Sequence, residues 1–269
     1  MEKNNVICDK ELKNRYDTFA QTLDYNTTAS DYQLRELEID TASEYMCDGK
    51  KVLDVGCGLG YAVSQYASRF DTIEVHGLDY SEKMVEGAYQ LRDKNYPNLK
   101  NKTEFYHGSV AELPFEDNSY DVVTSSRCLM ALLDWELQQK ALKEIHRVLK
   151  PGGIYVMMEG TNDGLKKLND VRNLFNLDSI DANGKDRLFT EKFDERVLLD
   201  YIKPFFIHED TKRFGMYYFL TRVVQPLLVA PDKPSYDHKI NEVAKKIAKY
   251  IPDFDGLGHL VAFIFQKRG

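Results

Sequence analysis

The chain has 269 residues, 43% of them hydrophobic and 29% charged, the make-up of a globular protein long enough to bury a substantial core. Its net charge of −7 argues against a nucleic-acid binder, which would carry a basic excess. Cys8, Cys47, Cys57 and Cys128 are scattered without metal-ligand spacing, and no stretch reads as a signal peptide or a membrane helix, so reduced thiols and a cytoplasmic location are expected.

In chain order, the N-terminal region is polar and aromatic. YDTFAQTLDYN and YQLRELEIDTASEYM each predict a helix, the second from weak periodicity at Leu34, Leu37, Ala42 and Tyr45. KKVLDVG predicts a short buried strand, and a glycine turn then leads into the helix YAVSQYASRF. IEVHGLDYS predicts a second strand ending at Asp79, and SEKMVEGAYQLRDKN a helix with Ser81 as its N-cap. TEFYHGSV and YDVVTSSRC predict the third and fourth strands. WELQQKALKEIHRVL is amphipathic, with Leu137, Ala141, Leu142, Ile145, Val148 and Leu149 at helical steps, and Pro151-Gly152-Gly153 stops it before a fifth strand, GIYVMMEG.

After Gly160 the rhythm loosens. A helix is expected near 164–175, then a glycine-marked loop at DANGKDR, then a helix in FDERVLLDYIKPFF running toward a strand. RFGMYYFL reads as a strand, with Tyr217 and Phe219 on one face and Tyr218 on the other. A connector punctuated by Pro226, Pro231 and Pro234 precedes the amphipathic helix YDHKINEVAKKIAKYI, whose lysine face is solvated, and HLVAFIFQKR closes the chain as a strand. Alternating strands and helices imply βαβ units and a parallel sheet, with an insertion between the last two strands.

The informative stretch is VLDVGCGLG. Glycines at 56, 58 and 60 sit between a strand and a helix, where unpaired helix N–H groups and a bare main chain suit a nucleotide-type ligand. Tyr61 occupies the position where the dinucleotide fingerprint has its third glycine, which counts against a nicotinamide oxidoreductase. Asp79, at the end of the next strand, is placed to accept both hydroxyls of a ribose.

VLDVGCGLG, then GLDYS, then GSVAELPFEDNSYDVVTSS, then the helix ending in HRVLKPGG, resemble a class I S-adenosylmethionine-dependent methyltransferase over residues 50 to 160. The resemblance implies an α/β, Rossmann-like, doubly wound sheet of seven strands with the last antiparallel, an N-terminal helical lid and an insertion before the last strand. It divides one methyltransferase domain into a lid (1–45), a cofactor-binding core (46–160) and a substrate-side half (161–269). It implies that Asp54 and the main chain of Gly56, Cys57, Gly58 and Gly60 hold the methionine part of S-adenosylmethionine, and that Asp79 binds the ribose, with Tyr80 and Met84 beside the adenine. Relatives commonly carry aspartate after the glycine at Gly108. Here it is Ser109, so its hydroxyl, a water or the main chain at Val110 must meet the adenine edge. Ser125 and Ser126 would lie nearest the methyl group.

Methyl transfer requires alignment and exclusion of water more than acid catalysis. Candidate bases or anchors beyond the strand ends are Glu159, Tyr217 and His259, with Tyr16, Tyr25, Arg213 and Arg222 as substrate contacts. Cys57 reads as a packing residue and His146 as structural. Cys128 lacks the preceding proline of RNA cytosine methyltransferases, having Arg127 instead. The expected reaction is methylation of an O or N atom of a small molecule by a monomer or homodimer, without nucleic acid, membrane or metal. A protein or RNA methyltransferase, or a non-catalytic cofactor-binding protein, are the alternatives.

Overall fold

The computed structural model describes residues 9–180 and 189–269. Cys8 and the loop expected at 181–187 lie outside them. Two helices, α1 (Asp9–Ala20) and α2 (Tyr32–Ser43), precede β1 (Lys51–Val55), α3 (Tyr61–Arg69), β2 (Glu74–Asp79), α4 (Glu82–Asn95), β3 (Thr103–His107) and β4 (Tyr120–Ser126). Then come α5 (Trp135–Val148), β5 (Leu149–Gly160), α6 (Asn162–Leu174), α7 (Glu195–Ile202) and β6 (Phe206–Arg213). The insertion holds α8 (Gly215–Phe219), a π-type turn over 220–224, α9 (Gln225–Val229) and α10 (Lys239–Ala248), and β7 (Leu260–Lys267) ends the fold.

The sheet has seven strands in the order β3-β2-β1-β4-β5-β7-β6. β7 runs antiparallel to both β5 and β6, and the other strands pair parallel. This is the doubly wound sheet with an antiparallel last strand. Its central strands are buried on both faces, as helix-covered parallel sheets are, while the edge strands β3 and β6 are partly exposed, and two apolar clusters fill the two faces. Strand order reverses between β1 and β4, so the crevice outside their carboxyl ends is where such sheets bind ligands.

Local chemistry sets the helix starts. Ser81 caps α4 by accepting from the Met84 N–H (3.1 Å), Asp134 caps α5, Thr161 caps α6 and Asp194 caps α7. α5 buries Ala141, Leu142, Ile145 and Val148, while Leu137 falls at its exposed margin. Pro151-Gly152-Gly153 lies inside the irregular start of β5 instead of in a separate turn.

One expectation is corrected. Residues 215–219 form α8, not a strand. Aromatic residues favour strands only where a pleated surface receives them. Here the edge beside β7 is already taken by β6, and the bare face of Gly215 packs against the Phe254 main chain, where a Cβ would come within 2.5 Å of the backbone nitrogen. Among the described residues no helix is long and apolar enough to cross a membrane.

Candidate functional site

Three glycines with positive φ (73°, 53° and 76° at Gly56, Gly58 and Gly60) turn the chain from β1 into α3. Their reasons differ. A Cβ at Gly56 would lie 2.6 Å from Cβ and Sγ of Cys128, and one at Gly60 would lie 2.6 Å from the Phe105 ring. Those two glycines let β4 and β3 close against the loop. Among the described residues a Cβ at Gly58 would meet nothing within 4 Å, so this main chain faces open space. The Gly56 and Cys57 N–H groups both donate to the Leu78 carbonyl (2.7 and 3.0 Å), which fixes the loop to β2.

Asp79 closes the other side. Its Oδ2 accepts from the Gly58 N–H (2.8 Å) and its Oδ1 from the Ser81 N–H (2.9 Å). A carboxylate offers about four lone-pair sites, so acceptor capacity remains on both oxygens for a pair of donors. Burial raises the Asp79 pKa above the ordinary carboxylate value, against the pull of those two backbone donors.

α1 lies across this crevice. Ala20 packs with Leu59, Met84 and Leu91, and Tyr16, Phe19 and Tyr25 pack against them. Asp17 ties the helix down by accepting from the Ser81 hydroxyl (2.6 Å) and from Lys13 Nζ (2.9 Å). Tyr16 is pushed up to about 12, by burial first and then by the negative charge of Asp79, with Glu159 a smaller contributor. The Tyr16 phenol therefore stays neutral between the carboxylates of β2 and β5.

Two buried carboxylates brace the strand ends. Asp54 accepts the Thr124 hydroxyl (2.7 Å) across the β1–β4 pairing and is raised to about 7 by burial, with Asp79 adding to the shift. Glu159 is fully buried and accepts three N–H groups, from Cys128 (3.2 Å), Leu129 (3.0 Å) and Met130 (3.1 Å). Burial nonetheless raises it to about 7. Its visible work is to hold the turn after β4 against β5. The Cys57 and Cys128 thiols are both pushed well up by burial, so neither is a thiolate at neutral pH.

Other expected contacts are placed as follows. Tyr80 is half exposed, and Met84 and Val110 are buried. The Ser109 hydroxyl accepts from the Ala111 N–H (3.2 Å). Ser125 is bound to the Tyr155 hydroxyl (2.8 Å) beneath the sheet, while Ser126 donates to Glu38 (2.9 Å). Tyr25 stacks obliquely on Tyr61 at 4.9 Å, beside a cavity of about 320 Å³ that Arg35 and Glu36 also line. Arg213 is held in a bidentate pair by Glu195 (2.5 and 3.0 Å), away from the crevice. His146 packs against Phe205 and Phe206, in keeping with a structural role.

Between α2, the end of β4, α8 and the start of β7 lies a second polar group. Arg127 binds Glu38 in a bidentate pair (2.5 and 2.8 Å). Asp31 accepts the Tyr217 hydroxyl (2.6 Å) and pairs with Arg222. His259 and Tyr218 complete the group, with ring centroids 5.1 Å apart. His259 is lowered to about 3, by burial first and then by the charges of Arg222, Lys192 and Arg127. It is a neutral imidazole at any working pH and a weak general base.

Residues 52–153 match a family model described as a methyltransferase domain. A demethylmenaquinone methyltransferase of Staphylococcus aureus (strain MRSA252) is 42% identical over 112 residues, which are 41% of this chain and 43% of that protein. The chain is thus matched over less than half the length of these curated relatives. Among solved structures, the complex between the Haloferax volcanii Trm112 methyltransferase activator and its methyltransferase gives a TM-score of 0.65 at 17% identity, covering 96% of this chain and 98% of the other. An S-adenosylmethionine-dependent methyltransferase from Methanosarcina mazei gives 0.55 at 21% identity, covering 84% and 95%. Residues 52–153 thus match a methyltransferase domain, and the chain shares its fold with these solved structures. The family match ends before Glu159, Tyr218 and His259, so that part of the chain must be read from its own residues.

Sequence reasoning passed over Glu38 and Asp31, and named Tyr218 only as the face of a strand opposite Tyr217. The signal for Glu38 was a carboxylate inside the apolar stripe of α2, whose neighbours Leu34, Leu37, Ile39 and Ala42 are all buried. Arg127 was noticed only as the neighbour of Cys128. It is a non-glycine residue at φ +53°, which places its side chain back toward Glu38.

Proposed function

We propose that this chain transfers a methyl group from S-adenosylmethionine to an O or N atom of a small-molecule acceptor. The carrying observation is the open main chain at Gly58 beside a carboxylate, Asp79, with acceptor capacity left on both oxygens. In this reading Asp79 takes the ribose hydroxyls, and Tyr80, Met84, Ser109 and Val110 surround the adenine. Asp54 and the loop Gly56–Gly60 serve the methionine end. When bound, the cofactor supplies a methyl group on a sulfonium, whose departure leaves a neutral thioether. The chain's own part is to exclude water under α1 and to orient the acceptor at the ends of β4 and β5. Residues 1–45 act as lid and 161–269 as the acceptor side of a cytoplasmic monomer or homodimer.

A covered acceptor side and a net charge of −7 favour a small molecule over RNA or a protein surface. The name of the staphylococcal relatives supports a second reading, a quinone acceptor, for which the aromatic rings of Tyr16 and Tyr218 would provide apolar walls. Calorimetric titration with S-adenosylmethionine, S-adenosylhomocysteine and NAD tests the cofactor assignment. Saturable heat is expected for the first two and none for NAD. Binding of NAD in place of both would overturn it.

The two raised carboxylates give a pH signature. Asp54 and Glu159, each raised to about 7, are mostly protonated at about pH 6 and mostly ionised at about pH 8. A cationic ligand favours their ionised forms, so its binding expels protons and tightens as pH rises. S-adenosylmethionine affinity should therefore gain about 3- to 10-fold over that of uncharged-sulfur S-adenosylhomocysteine across this window. Calorimetry in buffers of different ionisation enthalpy measures both the ratio and the released protons. An identical pH profile for the two ligands would show that neither carboxylate senses the sulfonium.

A further inference from the structure

We infer that Tyr218 and His259 form a neutral hydrogen-bonding pair that receives a hydroxyl group of the methyl acceptor, an alcohol, phenol or enol. This rests on the methyl-transfer reading and names the substrate class for that same site. The Tyr218 hydroxyl and the Nδ1 of His259 are both enclosed and, among the described residues, both without a hydrogen-bond partner. Buried polar atoms in native proteins are nearly always paired, so two orphans in ring contact call for an explanation. The neighbouring Tyr217 shows the ordinary outcome, with its hydroxyl on Asp31 at 2.6 Å.

The fold is shaped to keep Tyr218 where it is. Its ring lies on the main chain of Gly258, where a Cβ would come within 2.0 Å of it, at a φ of +100° that side chains rarely adopt. Gly164 in turn must be bare to admit the Gly258 carbonyl, 1.9 Å from where its own Cβ would stand. Two stripped positions thus seat one aromatic ring that leaves its hydroxyl unsatisfied.

Charge decides the class of ligand. Arg127 is matched by Glu38 and Arg222 by Asp31, so a carboxylate or phosphate would have to displace a carboxylate already bound. The carboxylates that an ammonium group would seek, Glu38 and Asp31, are likewise already bound, to Arg127 and Arg222. A hydroxyl accepts from the Tyr218 O–H and donates to the neutral imidazole, satisfying both orphans at once. His259 acts here by orienting the acceptor. The depressed basicity of its ring makes it unsuited to carry the proton away.

The test uses the full-length protein saturated with S-adenosylhomocysteine, with phenol, benzoate and benzylamine as probes of one size. Phenol should bind best in NMR titrations, and Tyr218→Phe and His259→Ala should each weaken it about tenfold or more, with S-adenosylhomocysteine affinity unchanged. Benzoate or benzylamine binding as well as phenol, or phenol binding unchanged in both variants, would overturn the inference. A second readout needs no probe. Removing an unsatisfied buried hydroxyl relieves the ligand-free protein, so Tyr218→Phe should raise its melting temperature by about 2 °C. A fall would reveal a structural partner or a bound water only, and sink the proposal. Failure of S-adenosylhomocysteine to bind the wild type would instead strike the methyl-transfer reading itself.

Discussion

Replacing Asp79 by asparagine weakens S-adenosylhomocysteine binding about 100-fold while the protein stays folded. The carboxylate serves two sets of donors. The Gly58 and Ser81 N–H groups hold it in place, and its remaining lone pairs, on the proposed reading, take the ribose hydroxyls. Asparagine keeps one oxygen for one of the backbone donors. It then sets an amide NH₂ against either the other backbone N–H or a ribose hydroxyl. Hydrogen bonds to a charged group contribute about 1.5–3 kcal/mol each, and two weakened bonds at the lower end amount to about 3 kcal/mol, or roughly two powers of ten in Kd. Stability should move little, because burial already disfavours the Asp79 charge and the neutral amide escapes that penalty. Calorimetric titration of both proteins, with melting curves alongside, separates the effects. A loss below threefold, with the fold intact, would remove the ribose from Asp79. A large loss accompanied by unfolding would be read against Gly58→Asn, which adds a side chain where the space is open and tolerates the positive φ there.

The candidate cofactor half was legible because its residues are local in the chain. Gly56, Gly58, Gly60 and Asp79 belong to consecutive elements, and strand, turn and helix periodicity suffice to place them. The spacing alone did not show that the three glycines answer to different neighbours. Cys128 and Phe105 reach the loop from β4 and β3, and only the folded sheet brings them there. The acceptor half was legible mainly as a set of residue types. Its pairings span 89 residues from Arg127 to Glu38, 186 from Tyr217 to Asp31 and 191 from Arg222 to Asp31. No periodicity carries information over such distances. The choice between Tyr217 and Tyr218 turned on secondary structure. On a strand the two would face opposite ways. On α8 both are buried, one satisfied by Asp31 and the other left facing His259.

Removal of the Glu38 carboxylate should be the most destabilising single change on the acceptor side. Glu38 is 2% exposed and accepts from both terminal nitrogens of Arg127 and from the Ser126 hydroxyl. Breaking a buried ion pair strands the partner charge and costs about 3–5 kcal/mol. The Arg127 side chain keeps 30% of its surface in solvent, which softens the penalty toward about 2–4 kcal/mol. At about 2–4 °C per kcal/mol for a domain of this size, Glu38→Ala should lower the melting temperature by about 5–12 °C. Glu38→Gln keeps acceptor oxygen for Ser126 and should fall between. The decisive comparison is the double variant Glu38→Leu with Arg127→Leu. Two apolar side chains leave no stranded charge, so the pair should recover much of the stability lost by either alone, a coupling that a double-mutant cycle reads directly. On the proposed reading such recovery would come with a loss of methyl transfer, because Ser126 ends β4 and Arg127 follows it, where the acceptor is to be aligned. Additive losses in the cycle would show that Glu38 supports α2 by packing alone and that the ion pair does not anchor this side of the site.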